Sequence, residues 1–131
     1  MHRISKRIEF SASHILEGLA DDHPCSRLHG HNYAVEVEVE GTPDPEVGFV
    51  LDYHALGGVK RWADDTLDHR HLNDVFEMNP TAENLASYIF GIAPDLIREE
   101  LDANGWVAGS WSVSAVRVYE TPKTCAEFRL S

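Results

Sequence analysis

The residues with most chemistry in them fall in one stretch, His23-Pro24-Cys25-Ser26-Arg27-Leu28-His29-Gly30-His31-Asn32, with His14 a short way upstream. A thiol stands four residues before a His-Gly-His pair. On a strand, His-x-His projects two rings from one face, about 7 Å apart along the backbone. A third imidazole from an antiparallel neighbour can complete a tripod. Three imidazoles with one position open are the donor set of a catalytic zinc ion; structural sites close with a fourth protein ligand. No Cys-x-x-Cys pair offers that fourth ligand. Cys25 could supply it, so a structural site, or no metal, is the plainer alternative.

The flanking sequence says how these residues are held. Over residues 3–14, Ile4, Ile8, Phe10, Ala12 and His14 share one parity, with Lys6 the exception; Arg3, Ser5, Arg7, Glu9, Ser11 and Ser13 share the other. That is a half-buried strand. A polar connection over 15–28 leads to a second alternating run, Tyr33, Val35, Val37 and Val39 against Glu36, Glu38 and Glu40. His29 and His31 are in phase with the valines, so parity puts all three histidines on the core-facing side.

Asp52 is a helix N-cap candidate, followed by helical spacing to about Asp68, weakened by Gly57-Gly58. Residues 68–73 read as a polar turn. Thr81 caps a second helix and Glu83 favours its positive end, while Pro94 is expected to kink or split it. Residues 111–120 and 124–130 are two strands joined through Thr121-Pro122-Lys123. The order predicts an α+β layer, an antiparallel sheet with helices on one face.

The length of 131 residues fits a single domain spanning 1–131, with 43% hydrophobic and 25% charged residues. No apolar run reaches membrane-spanning length and the N-terminus has no signal-like apolar region, so a cytoplasmic setting is expected. A formal charge of −11 disfavours nucleic acid and anionic membranes as partners. Two cysteines do not suggest a disulfide framework; Cys125, in a strand-like segment, reads as core.

His-Gly-His-x4-Glu36 resembles half of a cupin metal motif, but the helical middle of the chain and the lack of a downstream strand histidine make that the weaker reading. Taken in order, Cys25-x3-His29-Gly30-His31, Leu67-Asp68-His69, Asn79-Pro80-Thr81-Ala82-Glu83 and Tyr119-Glu120-Thr121, with His14 upstream, resemble the 6-pyruvoyl-tetrahydropterin synthase family over essentially the whole chain. The short Cys25–His29 spacing is similar to the bacterial branch that forms 6-carboxy-5,6,7,8-tetrahydropterin in the 7-deazapurine (queuosine) pathway.

The resemblance implies the tunnelling fold (T-fold), a ββααββ subunit assembling as a hexamer of two trimers with pterin sites between subunits. It implies zinc (Zn2+) on His14, His29 and His31, Cys25 as the catalytic cysteine, and Asp68 with His69 as a proton relay. Glu120 would anchor the pterin, with Thr121, Arg27, Thr81 and Glu83 around the substrate. Arg27, Lys60 and Arg61 are candidates for its triphosphate. The implied reaction converts 7,8-dihydroneopterin triphosphate to 6-carboxytetrahydropterin, releasing acetaldehyde and triphosphate. Alternatives are the pyruvoyl-forming synthase, which keeps the three-carbon side chain, and a non-catalytic zinc- or pterin-binding module. His71, where bacterial relatives often carry tyrosine, and a long loop from Trp106 to Trp111 depart from the pattern.

Overall fold

The computed structural model describes residues 1–131. Its elements in chain order are β1 (His2–His14), β2 (His29–Thr42), α1 (Gly57–Thr66), β3 (Arg70–His71), α2 (Leu72–Val75), α3 (Ala82–Asn104), β4 (Ser110–Thr121) and β5 (Thr124–Arg129). The strands form one sheet in the order β3-β1-β2-β4-β5, with the helices packed on one face. The tunnelling-fold subunit expected from the sequence is thus present, with one correction. The sheet is mixed: the polar turn expected over 68–73 contributes β3, which pairs parallel to β1 through Ala12↔Arg70 and Ser13↔His71.

Alternation sets the core. Ile8, Phe10 and Ala12 of β1 and Tyr33, Val35, Val37 and Val39 of β2 bury the helix-facing side, and α3 lays Leu85, Ile89, Ala93 and Ile97 against it. β2 is the central strand and is buried on its other side too. There Glu38, 7% exposed, accepts hydrogen bonds from Ser114 Oγ (2.7 Å), Arg117 (2.9 Å) and Arg129 (3.0 Å). This network ties β2, β4 and β5 together across the face away from the helices. Burial alone would raise the Glu38 carboxyl; the three donors outweigh it and hold it at about 2.

Two local expectations differ. α3 runs through Pro94 without a break, because Ala93 and Ile97 on either side are fully buried. Their packing offsets the roughly 3 kcal/mol an interior proline costs a helix. Asp52 does cap, but it caps the 3-10 turn Tyr53–Leu56 that feeds α1, accepting from His54 N–H. Gly58 is where α1 crosses α3: a Cβ there would stand 2.6 Å from Leu96 O. A glycine that reads as a weakness is therefore what permits the close approach.

Candidate active site

The strand ladder brings the histidines together. His14 and His29 are the last facing pair of β1 and β2, and His31 lies opposite Ala12. One ring nitrogen from each lies within 4.8 Å of the others, with His14 fully buried and the other two half-buried.

Hydrogen bonding then decides which nitrogens are free. His14 Nδ1 lies 2.8 Å from Pro80 O, and His29 Nδ1 lies 2.7 Å from Arg27 O. A carbonyl oxygen only accepts, so both Nδ1 atoms carry the proton and both Nε2 atoms of the neutral rings present lone pairs. Those two lone pairs face each other at 2.9 Å. His31 Nε2 is also buried and has no hydrogen-bond partner. Two facing lone pairs and a third buried ring nitrogen, with no donor among them, leave a place that a cation can fill. An all-nitrogen donor set suits a transition metal such as zinc and not magnesium or calcium, which take oxygen. Burial lowers His14 and His31 below the usual imidazole range, against the opposing pull of the Pro80 carbonyl on His14 and of Glu120 on His31. The neutral ring, the ligating form, is favoured.

Glu120 reaches the cluster by strand alternation, in phase with the buried Val116 and Val118, beside a β-bulge in the pairing of β4 with β5. Val118 pairs with Ala126 and Thr121 with Thr124, so Tyr119 and Glu120 together oppose Cys125. Tyr119 is fixed on the face away from the helices: its hydroxyl donates to Glu36 Oε1 at 2.5 Å, and the Arg7 guanidinium stacks 4.9 Å from its ring centroid. The Glu36 contact, helped by burial, pushes the Tyr119 phenol up to about 12. Glu120 therefore points the other way, with Oε2 3.9 Å from His31 Nε2.

Asp68 and His69 form a joined pair at the β1 edge. Asp68 Oδ1 accepts the Ser11 N–H at 2.9 Å, and Oδ2 lies 2.9 Å from His69 Nδ1. These bonds, Ser11 first, hold Asp68 below the usual carboxylate range. His69 takes a left-handed backbone, φ 58°, and its N–H donates to Ser11 O, leaving the side chain 83% exposed.

Cys25 sits in a 3-10 turn, Pro24–Ser26, whose start is capped by His23 Nδ1 accepting the Cys25 N–H at 3.0 Å. Its carbonyl accepts the Leu16 N–H, and its half-buried thiol is not among the mutually close donor atoms, so it does not close the histidine cluster as a fourth ligand.

The remaining expected residues fare unevenly. Glu83 and Glu120 line a hollow of ≈ 170 Å³ together with Thr124 and Cys125. Thr81 Oγ1 is committed to capping α3 at Asn84 N–H, and Thr121 Oγ1 accepts the Lys123 N–H of the hairpin turn. Arg27 is exposed and offers its carbonyl to His29. Lys60 pairs with Asp64, and Arg61 with Glu100. Cys125 is exposed, not core: at the bulge its position on the short outer strand has no cover. Four supports were not apparent in the pattern. Tyr33 Oη lies 3.2 Å from His14 Nδ1, and Pro80 supplies its carbonyl. Asn73 and Asn79 each clamp the chain after β1 by a two-way bond, to Ile15 and Glu17. Only the Asn79-Pro80 turn signal hinted at any of them.

Comparison with known proteins adds three likenesses. A 6-carboxy-5,6,7,8-tetrahydropterin synthase of Rickettsia felis is 29% identical over 147 aligned residues, covering 97% of this chain and 99% of the relative. A dihydroneopterin monophosphate aldolase of Pyrococcus furiosus is 38% identical over 87 residues, covering 66% of this chain and 70% of the relative. The structure of Caenorhabditis elegans 6-pyruvoyl tetrahydropterin synthase superposes with a TM-score of 0.80 at 28% identity, covering 99% of this chain and 96% of that one. The family model for 6-pyruvoyl tetrahydropterin synthase matches residues 3–131, and the chain belongs to that family.

Proposed function

We propose that the protein is a zinc enzyme converting 7,8-dihydroneopterin triphosphate and water to 6-carboxy-5,6,7,8-tetrahydropterin, acetaldehyde and triphosphate. The observation that carries this is the set of three inward Nε2 atoms, one buried without a partner, beside the Glu120 carboxylate. The 6-carboxytetrahydropterin synthase that matches over 97% of the chain supports the choice of reaction.

His14, His29 and His31 hold the zinc, which when bound supplies Lewis acidity toward the substrate's side-chain hydroxyls. The Glu120 carboxylate accepts two adjacent pterin N–H groups in parallel, fixing the ring. Cys25, as thiolate, takes a carbon-bound proton from the side chain. His69, oriented through Nδ1 by Asp68, returns a proton from its exposed Nε2 on another side of the reacting carbons. Tautomerisation expels triphosphate and leaves two adjacent carbonyls. Water adds to the one next to the ring, and the carbon–carbon bond between them breaks. The ring-side carbon stays on the ring as the carboxylate, and the outer two, with the electron pair of the broken bond and a proton taken up at the acyl carbon, depart as acetaldehyde.

Incubation of the zinc-loaded protein with 7,8-dihydroneopterin triphosphate should yield 6-carboxytetrahydropterin and acetaldehyde in equal amounts. A retained three-carbon chain means a pyruvoyl-forming synthase. A 6-hydroxymethyl product means aldol cleavage, the activity for which the Pyrococcus furiosus relative is named. No turnover leaves a binding module. A 7-deazapurine (queuosine-type) pathway in the cytoplasm belongs to the same reading. So does a hexamer with sites between subunits, supported by the uncovered outer edge of β5; a sedimentation mass other than six times 14.7 kDa would withdraw it.

A further inference from the structure

The largest hollow of the molecule touches the histidine cluster only at His31 and runs away from it. It is an open groove of ≈ 610 Å³ crossing β3, β1 and β2. Ser11, Ser13, Asn32, His69, Arg70 and His71 line it, and no carboxylate does. In a chain with twenty-two acidic residues against eleven basic ones, a carboxylate-free groove holding an arginine and several histidines is a local exception to the overall field.

An inventory of its polar atoms gives the ligand's chemistry. Ser11 Oγ donates to Asn32 Oδ1 at 2.7 Å, which uses the acceptor of that amide and leaves its two N–H donors without a protein partner. His71 Nδ1 is bonded to Ser13 Oγ at 3.0 Å, and His69 Nδ1 to Asp68, so in each ring Nε2 is the nitrogen left over. Arg70 makes no salt bridge; its side chain's one hydrogen bond is to the Asp65 backbone carbonyl at 3.2 Å. Lys60 and Arg61, by contrast, are held by carboxylates. Two acids border an adjoining hollow, and both are occupied: Asp68 by Ser11 N–H and His69, Glu9 by Arg7 at 3.9 Å.

We propose that this groove binds a polyphosphate oxyanion, with the Arg70 guanidinium and the Asn32 amide as its principal donors. Resting on the reaction proposed above, the groove would take the substrate's triphosphate arm and make Asn32 and Arg70 determinants of specificity for a phosphorylated pterin. A donor-rich surface without carboxylate oxygens suits an oxyanion better than a hard cation.

The test is calorimetric titration of inorganic tripolyphosphate into the metal-loaded protein and into protein stripped of metal. Saturable binding in both forms is expected. Asn32→Asp, which places a carboxylate in the groove at constant shape, and Arg70→Gln should each weaken it at least about tenfold. Arg98→Gln, on α3 and paired with Asp95, should leave it unchanged. No binding, binding lost when the metal is removed, or both groove variants titrating like the parent protein would overturn the proposal. The underlying reaction fails separately: if the groove variants lose tripolyphosphate while the parent protein never turns over the pterin, the groove stands and the reaction falls. If turnover is present, both variants should raise KM for the triphosphate substrate, keep kcat, and leave inhibition by unphosphorylated dihydroneopterin unaltered.

Discussion

At the scale of single residues, the division of labour between sulfur and nitrogen is the point most open to test. The Cys25 thiol lies outside the group of three ring nitrogens, on a turn anchored separately through Leu16 and His23. Cys25→Ala should therefore retain full zinc by elemental analysis while kcat falls at least about a hundredfold, the usual weight of a positioned general base. Parallel loss of zinc would make the sulfur a ligand; an unchanged kcat would remove it from the mechanism. The three histidines were legible because strand alternation is a strict rule, and in-phase positions on paired strands must share a face. Cys125 was misread because alternation assigns a face but not a cover. The Pro80 carbonyl that sets the His14 tautomer was invisible, since backbone groups carry no sequence signature.

At the scale of elements, the bulge at Tyr119-Glu120 makes one side chain depend on the other. Tyr119→Phe keeps the ring under Arg7 and removes only the hydroxyl bond to Glu36. If Glu120 anchors the pterin as proposed, the substitution should raise KM for the pterin severalfold with kcat nearly intact, because Glu120 is loosened and the groups proposed to move protons are untouched; equal losses in both constants would refute this. A second pair of variants separates propensity from packing. Gly57 has open space where a Cβ would stand and a helical backbone, φ −62° and ψ −17°. Gly57→Ala should stabilise by about 0.5–1 kcal/mol. Gly58→Ala, pressed on Leu96 O, should destabilise by roughly 1–3 kcal/mol. Thermal unfolding with the same sign for both would contradict the crossing geometry. The helices could be found from spacing and the Thr81 cap, but the fate of Pro94 and the worth of Gly58 depend on what lies across the interface, which a linear pattern does not contain.

At the scale of the whole molecule, the Glu38 network is the main charged contribution to cohesion. Its carboxyl ionises at about 2 in the fold, against an ordinary value of 4.5. A depressed folded value stabilises fully above the unfolded pKa, and the contribution is lost as pH falls from about 4.5 toward 2. For this 7% exposed group it is on the order of 3 kcal/mol. Glu38→Gln should lower Tm at neutral pH, by leaving Arg117 and Arg129 short of charge, and flatten the decline of Tm with acid over that window; an acid limb as steep as the parent's would show that other groups set it. The order of elements was readable from the sequence. The parallel β3 was not, being two residues whose pairing is dictated by the left-handed turn at His69.

The facing pair His14↔His29 is both the last rung of the β1–β2 ladder and the neck of the loop over 15–28 that carries the thiol. A cation held at that rung works as a clip across the neck, opposing the entropy gained when a loop opens. Stripping the ion should therefore unzip the sheet from that end only. Amide hydrogen exchange at Ala12 and His31 should quicken while Ile8 and Val35, farther down the ladder, stay protected.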